Sequence, residues 1–270
     1  MMTANETLMR VCDAALFDLD GVLTPTAEVH MRAWSRMFND FMTARRPPSG
    51  TGPTSGSDPT SGSGPTPGSG SVEDLRPYSE ADYFEHVDGK PRYDGVRDFL
   101  ASRGIALPLG DPSDPPEAET VCGLGNRKNV SFAHVLVTEG VQPYPGSVQL
   151  LDYLAAAGVA VAVVSSSQNA DAVLTAAGLR DRFQVVVDGN LARAKGLPGK
   201  PAPDTYTYAA VALGVPSERS VVFEDAVSGT AAGRAGTFGL VVGVDRGVGA
   251  QALLDSGADL VVNDLAELLP

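Results

Sequence analysis

The run Phe17-Asp18-Leu19-Asp20-Gly21-Val22-Leu23-Thr24 overlaps the end of the apolar stretch AALFD at 14–18. A strand that ends in carboxylates at i and i+2 carries both side chains on one side of the chain. Two carboxylates this close repel each other unless a cation neutralises them or one is protonated. Mg²⁺ prefers such oxygen ligands, particularly beside phosphate. The run therefore predicts a strand end where one carboxylate attacks phosphorus and the other handles a proton; the alternative is a turn with two solvated aspartates.

Further apolar runs alternate with helical patterns along most of the chain. The predicted strands lie at 14–18, 159–165, 183–188, 220–225, 238–244 and 259–262. The predicted helices between them lie at 146–157, 169–177, 203–213, 226–235, 249–256 and 264–269, and helix-start signals stand at Asn169 and at Pro203-Asp204. Strands that are apolar on both faces and alternate with helices indicate a parallel sheet covered on both sides. The predicted fold class is therefore α/β, a Rossmann-like parallel sheet with its site at the carboxyl ends of the strands.

The stretch between the first strand and residue 142 breaks this alternation. Its helical patterns occupy 26–45, 79–86, 93–103 and 125–139, and no strand pattern occurs there. An insert at this point lies over the strand ends, which predicts an inserted α-helical cap domain that acts as a lid.

The predicted domain division follows from this insert. The core domain comprises residues 1–24 and 143–270, and the cap domain comprises residues 25–142. Within the cap, 47–71 consists of Gly, Ser, Thr and Pro apart from Asp58. Such a segment buries no apolar surface, so it predicts a flexible loop.

Three more polar motifs stand at the ends of predicted strands or in the segments that follow them. Ser165-Ser166-Ser167 offers hydroxyls and N–H groups to phosphate oxygens, although serine clusters commonly only turn a chain. Lys200 stands between Gly199 and Pro201, which suits either a point charge on phosphate or an exposed loop lysine. Glu224-Asp225 suits the completion of a Mg²⁺ site, although Asp225 would also serve as a helix N-cap.

Together and in this order, the four motifs resemble those of the haloacid dehalogenase superfamily of phosphotransferases. The resemblance implies that Asp18 is the nucleophile that becomes an aspartyl phosphate. It implies that Asp20 is the general acid and base, and a metal ligand through its backbone carbonyl. It also implies that Ser165 and Lys200 hold the transferring phosphoryl group. The residues implied to bind Mg²⁺ are Asp18, Asp20, Glu224 and Asp225.

The cap resembles that of the β-phosphoglucomutase subfamily. Thr26, His30 and Trp34 recur at i, i+4 and i+8 after the first motif, although an ordinary amphipathic helix also explains them. The segment 86–92 resembles one whose arginine contacts the non-reacting phosphate, and 125–129 resembles one whose lysine faces the substrate. The residues implied to bind substrate are His30, Trp34, Gly89, Lys90, Arg92, Lys128, Ser167, Gln168 and Asn169.

These resemblances imply a phosphosugar mutase. It would interconvert β-D-glucose 1-phosphate and glucose 6-phosphate through an aspartyl phosphate, with β-glucose 1,6-bisphosphate as activator and intermediate. Arg92 suits this chemistry because a bisphosphate needs a second cationic site. The alternative is a sugar-phosphate phosphatase of the same superfamily, for example on trehalose 6-phosphate. Pro25 keeps that alternative open, since the subfamily commonly has an acidic residue there and proline fixes φ at a hinge.

The composition limits the partners. Lys plus Arg is 20 and Asp plus Glu is 33, a formal net charge of −13, which argues against nucleic acid and against an anionic membrane surface. Cys12 and Cys122 match no metal-ligand spacing and no disulfide framework. The sequence has no signal-peptide pattern and no apolar run of membrane-spanning length. We therefore expect a cytoplasmic monomer whose partner is a small sugar phosphate.

Overall fold

The computed structural model describes residues 3–46 and 73–270 of the chain. Its strands are β1 (Ala14–Phe17), β2 (Ala160–Val164), β3 (Val185–Val187), β4 (Ser220–Glu224), β5 (Leu240–Val244) and β6 (Leu260–Val262). They form a sheet in the order β3-β2-β1-β4-β5-β6, in which every neighbouring pair is parallel. All six predicted strands and their parallel arrangement are confirmed.

Helices flank this sheet and form the insert after β1. They are α1 (Ala4–Met9), α2 (Thr26–Arg45), α3 (Glu80–His86), α4 (Arg92–Ser102), α5 (Val121–Glu139), α6 (Pro145–Ala156), α7 (Ala170–Ala176), α8 (Gly189–Lys195), α9 (Asp204–Leu213), α10 (Val227–Ala235) and α11 (Ala250–Ser256).

Both faces of the sheet are covered because its strands are apolar on both sides. Ala15 and Phe17 of β1 pack in one buried cluster with residues of α6 and α7. Leu16, which points the other way, packs with residues of α9 and α11 in a second cluster. The Rossmann-like α/β class predicted from the sequence is therefore confirmed.

The strand order reverses at β1. β2 and β3 lie on one side of β1, and β4, β5 and β6 lie on the other. Open α/β sheets bind ligands at such a switch point, outside the carboxyl ends of the strands. Asp18 directly follows β1 and Asp225 directly follows β4, so the first and last predicted motifs flank this point.

The insert after β1 is helical, as predicted. α2 to α5 share a buried cluster that includes Trp34, Phe38, Phe99 and Leu124. No strand occurs among the described residues of 25–142. Since this cluster is separate from the two beside the sheet, it supports an inserted cap.

The predicted domain boundaries are not tested by these packing clusters. The division into a core of 1–24 and 143–270 and a cap of 25–142 stays a prediction. The predicted flexible loop at 47–71 lies outside the described residues.

Four local features differ from the sequence prediction. α1 and α8 are unpredicted, because each contains too few large apolar residues to show a helical period. The capping box of Thr3 and Glu6 is the signal that marks α1. The predicted helix 264–269 is a short 3₁₀ helix, Leu265–Leu268. α5 begins at Val121 instead of 125, because Thr120 caps it by accepting from the Gly123 N–H.

Two further sequence expectations concern cysteines and membranes. Cys12 and Cys122 are both buried and free. Burial raises the pKa of Cys12 to about 12, so this thiol is an unreactive part of the core. Within 3–46 and 73–270, no helix has the length and apolar character needed to cross a membrane.

Candidate active site

The turn after β1 brings the first motif against the end of β4. Gly21 has φ +84°, and a side chain on it would collide with the carboxylate of Asp225. Glycine is therefore needed both for the backbone conformation and for the close approach. The Gly21 N–H donates to the Thr24 carbonyl at 2.8 Å and closes the turn. The glycine of the motif thus lets the loop of Asp18 and Asp20 approach the second acidic pair.

Lys200 joins the ends of three strands. Its Nζ donates to Oδ1 of Asp18 at 2.5 Å, to Oε2 of Glu224 at 2.8 Å and to the Val164 carbonyl at 3.2 Å. The Tyr206 hydroxyl also donates to Oε2 of Glu224. Lys200 is only 4 % exposed, so the alternative of an exposed loop lysine is wrong. Burial lowers the pKa of this lysine, but the carboxylates of Asp18 and Glu224 outweigh burial and raise it, so Lys200 carries a charge.

Three carboxylates form a group that fits a cation. Asp18, Glu224 and Asp225 each offer an oxygen, and these oxygens lie within 4.8 Å of one another. Burial raises the pKa of Asp18 well above its ordinary value; Lys200 opposes this and Glu224 adds to it. Burial likewise raises the pKa of Asp225, with the charges of Asp88 and Glu224 adding. Buried like charges require a compensating cation, and carboxylate oxygens suit Mg²⁺.

The carboxyl of Asp20 lies outside that group and contacts the cap. Its Oδ1 accepts a hydrogen bond from Oγ1 of Thr26 at 2.5 Å and lies 3.3 Å from Nε2 of His30. Nδ1 of His30 in turn contacts Nζ of Lys128. Burial raises the pKa of Asp20, but His30 and Thr26 outweigh burial and lower it. Burial and the charge of Lys128 lower the pKa of His30. Residues of the insert thus set the charge state of Asp20.

Three cations of the cap face the site, and one of them has a carboxylate partner. Nζ of Lys90 lies 3.0 Å from Oδ2 of Asp98. Nη2 of Arg92 donates to Oδ1 of Asn129 at 2.9 Å, and Lys128 is 2 % exposed. Neither Arg92 nor Lys128 has a carboxylate at salt-bridge distance among the described residues. Burial lowers the pKa of both, as expected for desolvated cations that lack an anion.

The serine run lies in the loop after β2. Oγ of Ser165 accepts from the Ser167 N–H at 3.0 Å, and Oγ of Ser167 accepts from the Asn169 N–H at 3.1 Å. The Ser166 hydroxyl instead donates to the Gly89 carbonyl of the cap at 2.8 Å. The run therefore does more than turn the chain, since its middle member connects core and cap.

Two residues considered as helix caps make no capping bond with their side chains. Asn169 stands before α7, but its Nδ2 donates to Oδ1 of Asn129 on α5 at 2.6 Å. The helix-start signal at Asn169 is confirmed, since Asn169 is the N-cap residue of α7, but its side chain contacts the insert instead of the helix. Asp225 stands before α10, whose N-cap residue is Ala226 without a side-chain cap bond. The capping alternative for Asp225 is wrong.

A cavity of about 610 Å³, a volume that includes space open to solvent, brings most of the predicted site together. Lys200 and Asn169 do not line it; Lys200 contacts Asp18, and Asn169 contacts Asn129. The predicted residues that line the cavity are Asp18, Asp20, His30, Trp34, Gly89, Lys90, Arg92, Lys128, Ser165, Ser167, Gln168, Glu224 and Asp225. Ser166, the middle member of the predicted serine run, lines it as well, and the unpredicted lining residues are Ala27, Tyr83, Val87 and Asp88.

Asp88 is the most consequential of the unpredicted residues. It lies in the turn between α3 and α4 and lines the cavity together with Asp225. Burial raises its pKa to about 7; a hydrogen bond from Tyr83 opposes this and the charge of Glu224 adds to it. A single carboxylate in a loop has no periodic signal, so only its place directly before Gly89 marks it in the sequence.

Sequence and structure comparisons show which known proteins this chain resembles. The sequence profile of the haloacid dehalogenase-like hydrolases matches residues 12–237. Proteins named β-phosphoglucomutase from Mycobacterium bovis and Mycobacterium tuberculosis are each 49% identical to this chain over 261 residues, which cover 95% of it and 91% of their length. The β-phosphoglucomutase of Bacillus subtilis is 28% identical over 257 residues, covering 94% of this chain and 91% of that protein. A crystal structure of β-phosphoglucomutase from Clostridium difficile aligns with a TM-score of 0.67 over 95% of this chain and 93% of that one, and its 22% identity supports a shared fold alone.

The chain therefore belongs to the haloacid dehalogenase-like hydrolase family, as its four core motifs predict. Within that family it falls in the β-phosphoglucomutase-like subfamily, and it is an enzyme of the β-phosphoglucomutase type. Both resemblances inferred from the motifs are confirmed.

Proposed function

We propose that this enzyme is a Mg²⁺-dependent phosphosugar mutase that interconverts β-D-glucose 1-phosphate and glucose 6-phosphate. One observation carries the proposal: the cavity that contains Asp18 also contains Arg92 and Lys128, two basic side chains that have no carboxylate partner among the described residues and whose charged forms burial disfavours. Buried unpaired charges are costly unless an anion joins them. A sugar bisphosphate supplies that anion while its other phosphate reacts at Asp18. A phosphatase for monophosphates has no such need.

Asp18 is the proposed nucleophile. Its carboxylate oxygen attacks phosphorus, the bond between phosphorus and the sugar oxygen breaks, and an aspartyl phosphate forms. Lys200, 2.5 Å from Oδ1 of Asp18, offsets negative charge at this point. Ser165, which lines the cavity, holds a phosphoryl oxygen. Such positioning and charge neutralisation are what phosphoryl transfer requires.

Asp20 is the proposed general acid and base. It gives a proton to the leaving sugar oxygen and takes one from the sugar hydroxyl that later attacks the aspartyl phosphate. Its lowered pKa favours the ionised form, which accepts the proton of the incoming hydroxyl. Thr26 and His30 hold this carboxyl, so proton transfer depends on the position of the cap.

Asp18, Glu224 and Asp225 are the proposed side-chain ligands of Mg²⁺, with the backbone carbonyl of Asp20. The close carboxylate oxygens and the raised pKa values of Asp18 and Asp225 support this assignment. When bound, Mg²⁺ neutralises part of the charge on these carboxylates and on the phosphoryl oxygens.

The cap and the loop after β2 supply the proposed binding site for the sugar and its second phosphate. Arg92 is the proposed bidentate partner of the non-reacting phosphate. Lys128 lies 4.9 Å from the Trp34 ring and approaches the same end of the substrate. The other proposed contacts are His30, Gly89, Lys90, Ser167 and Gln168, with Asn169 acting through Asn129.

The sugar must reorient between the two transfers. In this proposal β-glucose 1,6-bisphosphate is the intermediate that reorients in the cavity. A trace of it also phosphorylates Asp18 at the start of the reaction. The aspartyl phosphate must survive until the sugar has returned, and a closed cap serves that end by excluding water.

Phosphorus NMR tests this proposal directly. The enzyme is incubated with Mg²⁺, β-glucose 1-phosphate and a trace of the 1,6-bisphosphate. We expect glucose 6-phosphate with little inorganic phosphate. Inorganic phosphate without glucose 6-phosphate would overturn the mutase in favour of the phosphatase. A monomeric state and a cytoplasmic location stay predictions from the sequence.

A further inference from the structure

Two serines of the core hold one turn of the cap by its backbone. The Ser166 hydroxyl donates to the Gly89 carbonyl at 2.8 Å, and the Ser228 hydroxyl donates to the Asp88 carbonyl at 3.3 Å. Ser166 lies in the loop after β2, whereas Ser228 lies at the start of α10 after β4. Because β2 and β4 flank β1 on opposite sides, the turn is held from both sides of the strand that carries Asp18.

The turn itself is shaped for this contact. Gly89 has φ +68°, and a side chain on it would collide with Oγ of Ser228 and come within 3.0 Å of Cβ of Ala226. A residue other than glycine would therefore push the turn away from the core. Asp88 and Gly89 both line the cavity, so the contact fixes part of the wall of the active site.

The turn also fixes the start of α4, where Arg92 stands. Near Arg92 a third contact joins cap and core. Oδ1 of Asn129, a residue of the cap, accepts from Arg92 of the cap at 2.9 Å and from Asn169 of the core at 2.6 Å. Ser166 and Ser228 therefore hold the segment that places Arg92, the proposed partner of the second phosphate.

We propose that Ser166 and Ser228, which we call the cap latch, are positioning residues that decide whether the phosphoryl group passes to sugar or to water. With the latch formed, the cap covers the aspartyl phosphate and Arg92 faces the cavity. With the latch broken, the cap opens and water attacks the phosphorus of the aspartyl phosphate, breaking its bond to Asp18 and releasing inorganic phosphate. The inference rests on the proposed mutase function and adds to it the residues that control the acceptor.

Neither serine is needed for the chemistry at Asp18. The Ser166 hydroxyl is already committed to Gly89, which leaves Ser165 to contact the phosphoryl group. Since one intramolecular hydrogen bond shifts an equilibrium by about 2- to 12-fold, loss of either serine should raise the open population by that factor. The shorter bond of Ser166 predicts the larger effect.

The experiment compares Ser166→Ala, Ser228→Ala and the double variant with the full-length enzyme. Ser166→Thr, which keeps the hydroxyl, serves as the rescue variant. Ser131→Ala is the matched control, because Ser131 is a partly buried residue of α5 whose hydroxyl has no hydrogen bond within the described part of the chain. Phosphorus NMR gives the ratio of inorganic phosphate to glucose 6-phosphate. Acrylamide quenching of Trp34, the single tryptophan of the sequence, reports the opening of the cavity that it lines.

We expect both the ratio and the quenching constant to rise in Ser166→Ala and, less strongly, in Ser228→Ala. Ser166→Thr should restore wild-type values, and Ser131→Ala should leave them unchanged. An unchanged ratio in the double variant overturns the proposal, and so does a changed ratio without increased quenching. If the wild type forms only inorganic phosphate, the mutase proposal fails; increased quenching in the double variant then still supports the latch, and unchanged quenching overturns it.

Discussion

The imidazole Nε2 of His30 lies 3.3 Å from Oδ1 of Asp20, so a side chain of the insert reaches the second carboxyl of the loop after β1. The other ring nitrogen, Nδ1, contacts the Lys128 amine, which has hydrogens to donate. Nδ1 is therefore the acceptor, and the hydrogen is on Nε2. Burial and Lys128 lower the pKa of His30, which favours this neutral tautomer. The relationship makes Asp20 sensitive to the position of α2.

His30→Ala should lower kcat/KM for glucose 6-phosphate formation by about 10- to 100-fold, less than the loss of a general acid or base itself. The reason is that His30 positions Asp20 without transferring the phosphoryl group. Steady-state assays with β-glucose 1-phosphate measure the effect. His134→Ala is the control, because His134 is an exposed histidine on α5 and should retain full activity. Equal losses in the two variants would contradict the role of His30.

Asp18→Asn should reduce turnover by at least about 10³-fold, as expected for removal of a nucleophile. An amide cannot form the acyl phosphate, while its shape preserves the packing after β1. Mass spectrometry after incubation with the bisphosphate should detect a phosphorylated wild type and an unmodified variant. Thermal unfolding should show that the variant is folded. Phosphorylation of the variant would disprove covalent catalysis at this position.

The sheet and the core motifs are predictable from the sequence because buried parallel strands need continuous apolar runs. The polar residues that follow such runs must then gather at one edge of the sheet. Asp18, Ser165 and Glu224 are located in this way. Lys200 is found from its neighbours in the motif, although no periodicity predicts that its amine joins three strand ends.

Contacts between cap and core are much harder to predict. Asp88 lies in a loop of the cap and faces the core, whereas Ser166 lies in a loop of the core and faces the cap. Loops carry no helical or strand period. Asn169 shows the same limit, since its local signal indicates a helix cap but its side chain bonds to Asn129. Such contacts depend on how the buried cluster of the cap is placed against those of the core. The pattern of a single sequence does not specify that placement.

Arg92→Ala should raise KM for the sugar phosphate by about 10- to 150-fold, the range for charge-assisted hydrogen bonds of 1.5–3 kcal/mol. Hydrolysis of a small aryl phosphate, which has no second phosphate, should change little. Arg97→Ala is the control on the same helix, because Arg97 pairs with Asp94 at the exposed surface. Equal losses on both substrates would refute the contact with the second phosphate.

Asp82→Asn should lower the free energy of unfolding by about 3 kcal/mol at neutral pH, since it leaves a buried arginine short of a partner. Asp82 accepts from Nη2 of Arg103 at 2.7 Å and from the Ser79 hydroxyl at 2.7 Å, and Arg103 is 2 % exposed. Urea denaturation followed by Trp34 fluorescence measures the change. Asp94→Asn, which disturbs an exposed pair, should cost less than about 1 kcal/mol.

The same pair predicts a pH dependence. Burial raises the pKa of Asp82, but the bonds from Ser79 and Arg103 outweigh burial and lower it. A carboxyl with a lowered pKa contributes its full stability above the unfolded value of about 3.9, and loses it as the pH falls through the lower folded value. The difference in the free energy of unfolding between the wild type and Asp82→Asn should therefore become smaller below about pH 4. A difference that stays constant down to pH 2 would contradict this assignment.

Deletion of 49–70 should change the free energy of unfolding by less than about 1 kcal/mol, because loop-closure entropy varies slowly with length. The described residues on either side of the deleted region already lie together. Arg45 binds Glu73 through two hydrogen bonds, of 2.7 Å and 3.1 Å, and Nη2 of Arg46 donates to the Leu75 carbonyl at 2.8 Å.

The deletion leaves four residues between Arg46 and Glu73, enough to connect two neighbouring points. Since the removed residues are almost all Gly, Ser, Thr and Pro, no apolar contact is expected to be lost. Urea denaturation and the glucose 6-phosphate assay measure the outcome. A second variant keeps residues 49–70 but in scrambled order, which separates the effect of the segment's length from that of its sequence. Full activity in both variants is expected. Loss of activity in the scrambled variant alone would mean that the order of these residues matters for binding or catalysis.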